Sequence, residues 1–166
     1  ENNGISHFLE HLMFKGTKKH KAGEFDRILE AKGAIVNAAT WKDYTFYYVT
    51  IPKGSSNKNF QEALELHADM MLNPVIPGNE IGEPFDINNP KIKEKRERHV
   101  VIEEIRMRKD QPWTKVYNLT NANMYQNHPY KRDVIGNEQI ISTITREEVL
   151  NYYKTHYTPD NITTII

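Results

Sequence analysis

Apolar positions along this chain change period several times, and each change marks an element. Ile5, Phe8, Leu9, Leu12 and Met13 recur at i, i+3, i+4, i+7 and i+8, the signature of one helix face. Asn2 or Asn3 is the expected cap of this helix, and Gly16-Thr17 its end. A second helix is expected over 23–32, with Phe25, Ile28 and Leu29 inward and Gly33 as its stop. The period then falls to two. Residues 35–40 and 44–51 are rich in β-branched and aromatic side chains, and Pro52 closes the second run. Only Trp41-Lys42-Asp43 separates them, so they read as a hairpin. In the second strand Tyr44, Phe46 and Tyr48 alternate with Thr45, Tyr47 and Val49, so the two sets fall on opposite faces of the sheet.

Helical spacing returns at Phe60, Ala63, Leu64, His67, Met70 and Met71. Residues 73–90 hold Pro74, Pro77, Gly78, Gly82, Pro84 and Pro90 and read as a long loop. A charged helix is expected over 91–109, and another starting at Pro112. A loop over 127–136 precedes a short helical stretch near Glu138. Thr145-Arg146-Glu147-Glu148 is a capping box into a further helix, and 161–166 reads as a closing strand. The chain begins at Glu1 without Met and ends in that strand pattern, so it is expected to be a piece of a larger protein.

Composition removes several classes of function. Lys+Arg and Asp+Glu are 22 each, giving zero formal net charge, and this argues against a nucleic-acid partner, whose phosphates require a basic excess. The cluster Lys15, Lys18, Lys19 and Lys21 is accordingly read as a solvated loop. No apolar run approaches the roughly 18 residues of a membrane span, so no membrane partner is expected. There is no cysteine, which excludes a thiolate metal site, a cysteine nucleophile and a disulfide scaffold. Without cysteine or a leader, the cytoplasm is the expected compartment.

His7-Phe8-Leu9-Glu10-His11 carries the chemistry. On a helix, His7 and His11 stand one turn apart on one face with Glu10 beside them, opposite the apolar stripe. Two imidazoles so spaced can hold Zn²⁺ at about 2.0–2.1 Å each. A catalytic zinc site needs a third protein ligand and keeps a fourth position for water. No second HxxEH or HExxH occurs, so a carboxylate is the natural candidate, and the stretch from Glu97 to Glu104 supplies it. Glu97 and Glu104 are two turns apart on one stripe, while Glu103 points elsewhere. One of the two can ligate and the other can hold a histidine or a water. Of the other histidines, His67 reads as a packed core residue and His99 as lying off this stripe.

The stretch from Gly4 through the HxxEH segment to Lys15-Gly16-Thr17 resembles the pitrilysin/insulinase-type inverzincin family, which includes the mitochondrial processing peptidases. So do Gly33-Ala34-Ile35-Val36-Asn37-Ala38-Ala39-Thr40, the ERxxVxxE pattern from Glu97 to Glu104, and Tyr157-Thr158-Pro159-Asp160-Asn161. The motifs stand in the family's order over essentially the whole chain.

The resemblance implies an α+β fold, with helices packed on one face of a mainly antiparallel sheet, one half-unit of the insulinase-type peptidase. It makes 1–166 a single zinc-binding domain fragment, with 74–95 an insertion. The strand before the HxxEH helix and the second homologous half are missing. It implies one zinc per chain, held by His7, His11 and Glu104, with Glu10 as general base and Glu97 needed for activity without ligating. Asn37 and Ala38 match the strand that lies along the peptide substrate. The function implied is zinc-dependent endopeptidase action on peptides or unfolded segments, inefficient until a second half or partner subunit closes the chamber. The alternative is a non-catalytic structural or substrate-holding subunit of the same family.

Overall fold

The computed structural model describes residues 3–89 and 96–166. The chain folds as α1 (Ile5–Met13), α2 (Glu24–Glu30), β1 (Ile35–Thr40), β2 (Thr45–Thr50), α3 (Lys58–Leu72), α4 (Gly78–Ile81), α5 (Glu97–Lys109), α6 (Pro112–Met124), α7 (Glu138–Thr143) and α8 (Arg146–His156), with short 3₁₀ turns between some of them. Among the described residues, β1 and β2 form a two-stranded antiparallel sheet with Ile35 opposite Thr50 and Thr40 opposite Thr45. Helices pack on one face of it, as the α+β reading expects. No helix among the described residues is long and apolar enough to cross a membrane.

The register assigns the two faces of the hairpin. Val36, Val49 and Tyr47 turn inward onto a small core made by Phe25, Leu29, Ala63, Leu66 and Met70 of α2 and α3. Tyr44, Phe46 and Tyr48 form an exposed aromatic ladder with successive ring centroids 6.0 and 5.9 Å apart. The larger core centres on α1. Phe8, Leu9 and Leu12 are fully buried against Val101, Ile102 and Ile105 of α5, Ile141 of α7 and Val149 of α8. Burial of each large apolar side chain contributes about 1.5–3 kcal/mol, so this stripe anchors α1 firmly.

Several elements differ from the sequence expectation. The cap of α1 is not an asparagine but Gly4, at φ 97°. An added Cβ there would come within 2.6 Å of the Gly136 Cα, so the close backbone approach, and not side-chain capping, dictates the residue. Asn2 lies outside the described residues. Within 73–90 the loop is packed, not solvated. Ile76 and Ile81 are buried, α4 forms, and the Phe85 N–H donates to the Ser142 carbonyl at 3.0 Å. The charged helix starts at Glu97; the expected portion over 91–95 lies outside the described residues. Residues 162–166 form no strand, because no neighbouring strand stands beside them among the described residues to complete a ladder. The capping box at Thr145 and Glu148 forms as expected.

Arg98, adjacent to Glu97, is fully buried. Its guanidinium donates to the carbonyls of Ile141, of Gly82 at 3.1 Å and of Ile144 at 2.7 Å, and lies 5.6 Å from the Phe8 ring centre. Burial pulls its pKa down to about 10, so it stays charged at neutral pH. Replacing Arg98 by Met removes these donors and strands buried carbonyls. Chemical denaturation of the variant is expected to show a loss of about 3 kcal/mol. Unchanged stability would mean that the carbonyls find water.

Candidate metal centre

The apolar stripe of α1 packs into the core, and the other side of the helix carries His7 and His11, which reach Glu104 of α5, and Glu10, which does not. On α5 the predicted stripe is realised. Glu104 Oε2 lies 3.6 Å from His7 Nε2 and 3.5 Å from His11 Nε2. The two rings are 4.8 Å apart and nearly perpendicular. Ligand atoms of His7, His11 and Glu104 all fall within 4.8 Å of one another. Tetrahedral zinc with bonds near 2.1 Å separates its ligand atoms by about 3.4 Å, so the donor set and its spacing fit that ion. Glu103 points away, to the Arg106 guanidinium at 2.7 Å, and does not join the cluster.

Glu97 stands behind the cluster. Its Oε2 accepts from His11 Nδ1 at 3.2 Å, and its Oε1 takes the Lys15 ammonium at 2.6 Å. A hydrogen bond to Nδ1 turns the other ring nitrogen, Nε2, toward Glu104 and His7, the arrangement expected of a carboxylate that orients a ligand. Both oxygens of Glu97 are occupied, which separates its place from that of Glu104. Lys15 is therefore a site residue and not part of a solvated loop, unlike exposed Lys18, Lys19 and Lys21. Its position four residues after His11 was the available signal.

Glu10 faces the hairpin, where its Oε2 accepts the Thr40 hydroxyl of β1. Thr40 was not singled out from the sequence, since it reaches α1 only through the fold. Asn37 and Ala38 lie on β1 beside α1, and Asn37 is exposed. The Ala38 N–H is taken by Asn37 Oδ1 at 2.9 Å and so lies outside the ladder to β2. Behind Thr40, the Tyr47 and Tyr157 hydroxyls pair at 2.7 Å. His67 is half-buried on α3 and remote from the cluster in sequence, and His99 stacks on Phe85.

Electrostatics divide the two histidines. Burial lowers the His7 pKa, helped by the positive His11 beside it. Burial also pulls on His11, but the hydrogen bonds to Glu104 and Glu97 outweigh it and push His11 up to about 9. The His11 hydrogen bond draws Glu104 down. Glu97 goes down too, since its bonds to His11 and Lys15 overcome the effect of burial. Glu10 is raised by burial, which the Thr40 hydrogen bond partly offsets.

Residues 1–138 match the family model for insulinase, peptidase family M16. The chain belongs to the insulinase family. It is 35% identical to the uncharacterized zinc protease YmxG of Bacillus subtilis, over 98% of this chain and 36% of that protein. A protease from Helicobacter pylori superposes with a TM-score of 0.81 at 33% identity, over 96% of this chain and 35% of that one. The first half of the periplasmic protease PqqL from Escherichia coli gives 0.78 at 25% identity, over 97% and 33%. The chain thus spans about a third of the length of the relatives it matches.

Without metal, His11 is protonated at neutral pH, yet a ligating imidazole must be neutral. Zinc binding at pH 7 is therefore expected to release about one proton, read by calorimetry in buffers of different ionisation heat. The raised pKa of His11 also stabilises the metal-free fold. That contribution is complete below 6.5 and is lost as pH rises through about 9. No proton release would show that Glu97 and Glu104 do not charge this ring.

Proposed function

We propose that this chain is the zinc-bearing part of a metalloendopeptidase that hydrolyses peptide bonds in peptides or unfolded segments. The observation that carries the reading is the convergence of His7, His11 and Glu104 with Glu10 alongside but differently engaged. His7, His11 and Glu104 would hold the ion, and Glu97 would fix His11. Zinc bound there would supply Lewis acidity, lowering the pKa of water towards about 7 and favouring negative charge on the carbonyl oxygen.

The rest falls to side chains. Glu10, raised by burial, is suited to take a proton from the attacking water and to deliver it to the leaving amine. Adding an extended substrate to the free edge of β1 at Asn37 and Ala38 would give main-chain affinity with little demand on sequence. A second homologous half or partner subunit would close the chamber. The match to one half of a larger protease supports this, as does the one-third coverage.

The test uses the full-length protein. Glu10→Gln is expected to keep zinc while peptide cleavage falls at least about 10²-fold. His7→Ala and Glu104→Ala are expected to lose zinc by elemental analysis, and Glu103→Ala to keep it. A parent that holds zinc and binds peptide without cutting it would favour the substrate-holding alternative.

A further inference from the structure

Glu10 has a choice of partners. It precedes His11 by one residue, and its carboxylate is close enough to feel the charges of His11 and Glu104. A carboxylate oxygen binds zinc readily, at about 2.0–2.2 Å. A long side chain next to an open coordination position would fill it unless something held the side chain elsewhere. Thr40 holds it. The Thr40 hydroxyl donates to Glu10 Oε2 and in turn accepts from Thr45 Oγ1 at 3.3 Å, its partner in the ladder. With Thr45 donating to its oxygen, the single Thr40 proton goes to Glu10.

The strand end that carries this hydroxyl is fixed from both sides. Thr40 is β-branched, so its χ1 is stiff. One residue past Trp41, the Lys42 ammonium caps the carbonyls of Tyr130, at 2.8 Å, and Arg132. Asp43 accepts the Tyr130 hydroxyl. The hairpin tip is thereby tied to the segment after α6, and Thr40 approaches α1 from a braced ladder and not from a loop.

We propose that Thr40 is a positioning residue that keeps Glu10 off the metal, reserving the carboxylate for the water and leaving the fourth coordination position open. The inference rests on reading His7, His11 and Glu104 as ligands and Glu10 as base. It assigns the hydroxyl a role opposite to that of a merely structural group, whose loss would loosen the site.

The experiment compares Thr40→Val, Thr40→Ala and Thr40→Ser in the full-length protein, together with Glu10→Gln alone and combined with Thr40→Val. Zinc affinity is measured by competition with a chromophoric chelator, and kcat and KM with a quenched fluorescent peptide. Thr40→Val is expected to bind zinc about tenfold more tightly, within the range by which groups around a metal alter its affinity. Its kcat should fall about 10²-fold, the cost of a base about 1 Å out of place, with KM within about twofold. Thr40→Ala gives the same directions and stands in if the valine variant does not fold. Thr40→Ser should match the parent. Adding Glu10→Gln to Thr40→Val should remove the extra zinc affinity.

Unchanged or weaker zinc binding in Thr40→Val and Thr40→Ala overturns the proposal, as does a serine variant as impaired as valine, or an unchanged kcat in an active parent. A parent that holds zinc but cuts nothing sinks the peptidase reading alone, and the zinc comparison still decides the role of Thr40. A parent that binds no zinc overturns both.

Discussion

The packing of α1 against α5 is the constraint on which the rest of the structure depends. Both helices must bury one side in a shared core while bringing ionisable groups together along the margin of the contact. Val101, fully buried, lies between Glu97 and Glu104 on the α5 stripe, so apolar contact and carboxylate placement are set by the same rotation of the helix. Arg98 fixes that rotation from the other side. Its bonds reach backbone carbonyls of Gly82, just after α4, and of Ile141 and Ile144 at the end of α7, gathering two separate segments around the start of α5. A charge without a buried carboxylate partner is costly unless its donors are used, and here both terminal nitrogens are spent on the backbone while Nε meets no partner among the described residues.

The cluster also shows how a fold tolerates several ionisable groups in a partly buried space. His7 is kept neutral, while His11 is charged and lies between two carboxylates. The proton on His11 lies between the two carboxylates, where a bound cation would meet the same charges. Lys15 neutralises the far oxygen of Glu97.

Much of this was legible because a helix repeats. The spacing of His7 and His11, the neighbouring Glu10 and the two-turn interval from Glu97 to Glu104 fix relative directions before any tertiary contact is known. The hairpin was legible from its period of two. What escaped depends on contacts between distant segments. Thr40 meets Glu10 across 30 residues, and Lys15 meets a carboxylate from another helix. Gly4 caps α1 because Gly136 lies against it, a requirement invisible in the local pattern, which favoured asparagine. The stretch 73–90 looked like a loop because proline and glycine dominate it, yet two isoleucines decide its packing. The pattern over 161–166 suits a strand, but a strand exists only with a neighbour.

The hydrogen bond from the Ala38 N–H to Asn37 Oδ1 gives the sheet a guarded border. An open β edge invites any extended chain, including another copy of the same protein, to stack against it. Here the amide that would begin such pairing is already engaged by its own neighbour. A visitor touching one residue gains nothing by displacing that contact, because it trades one hydrogen bond for another. A segment long enough to pair over several residues gains more than it displaces. For any extended partner at this edge, length and not composition would then set the gain in main-chain bonding.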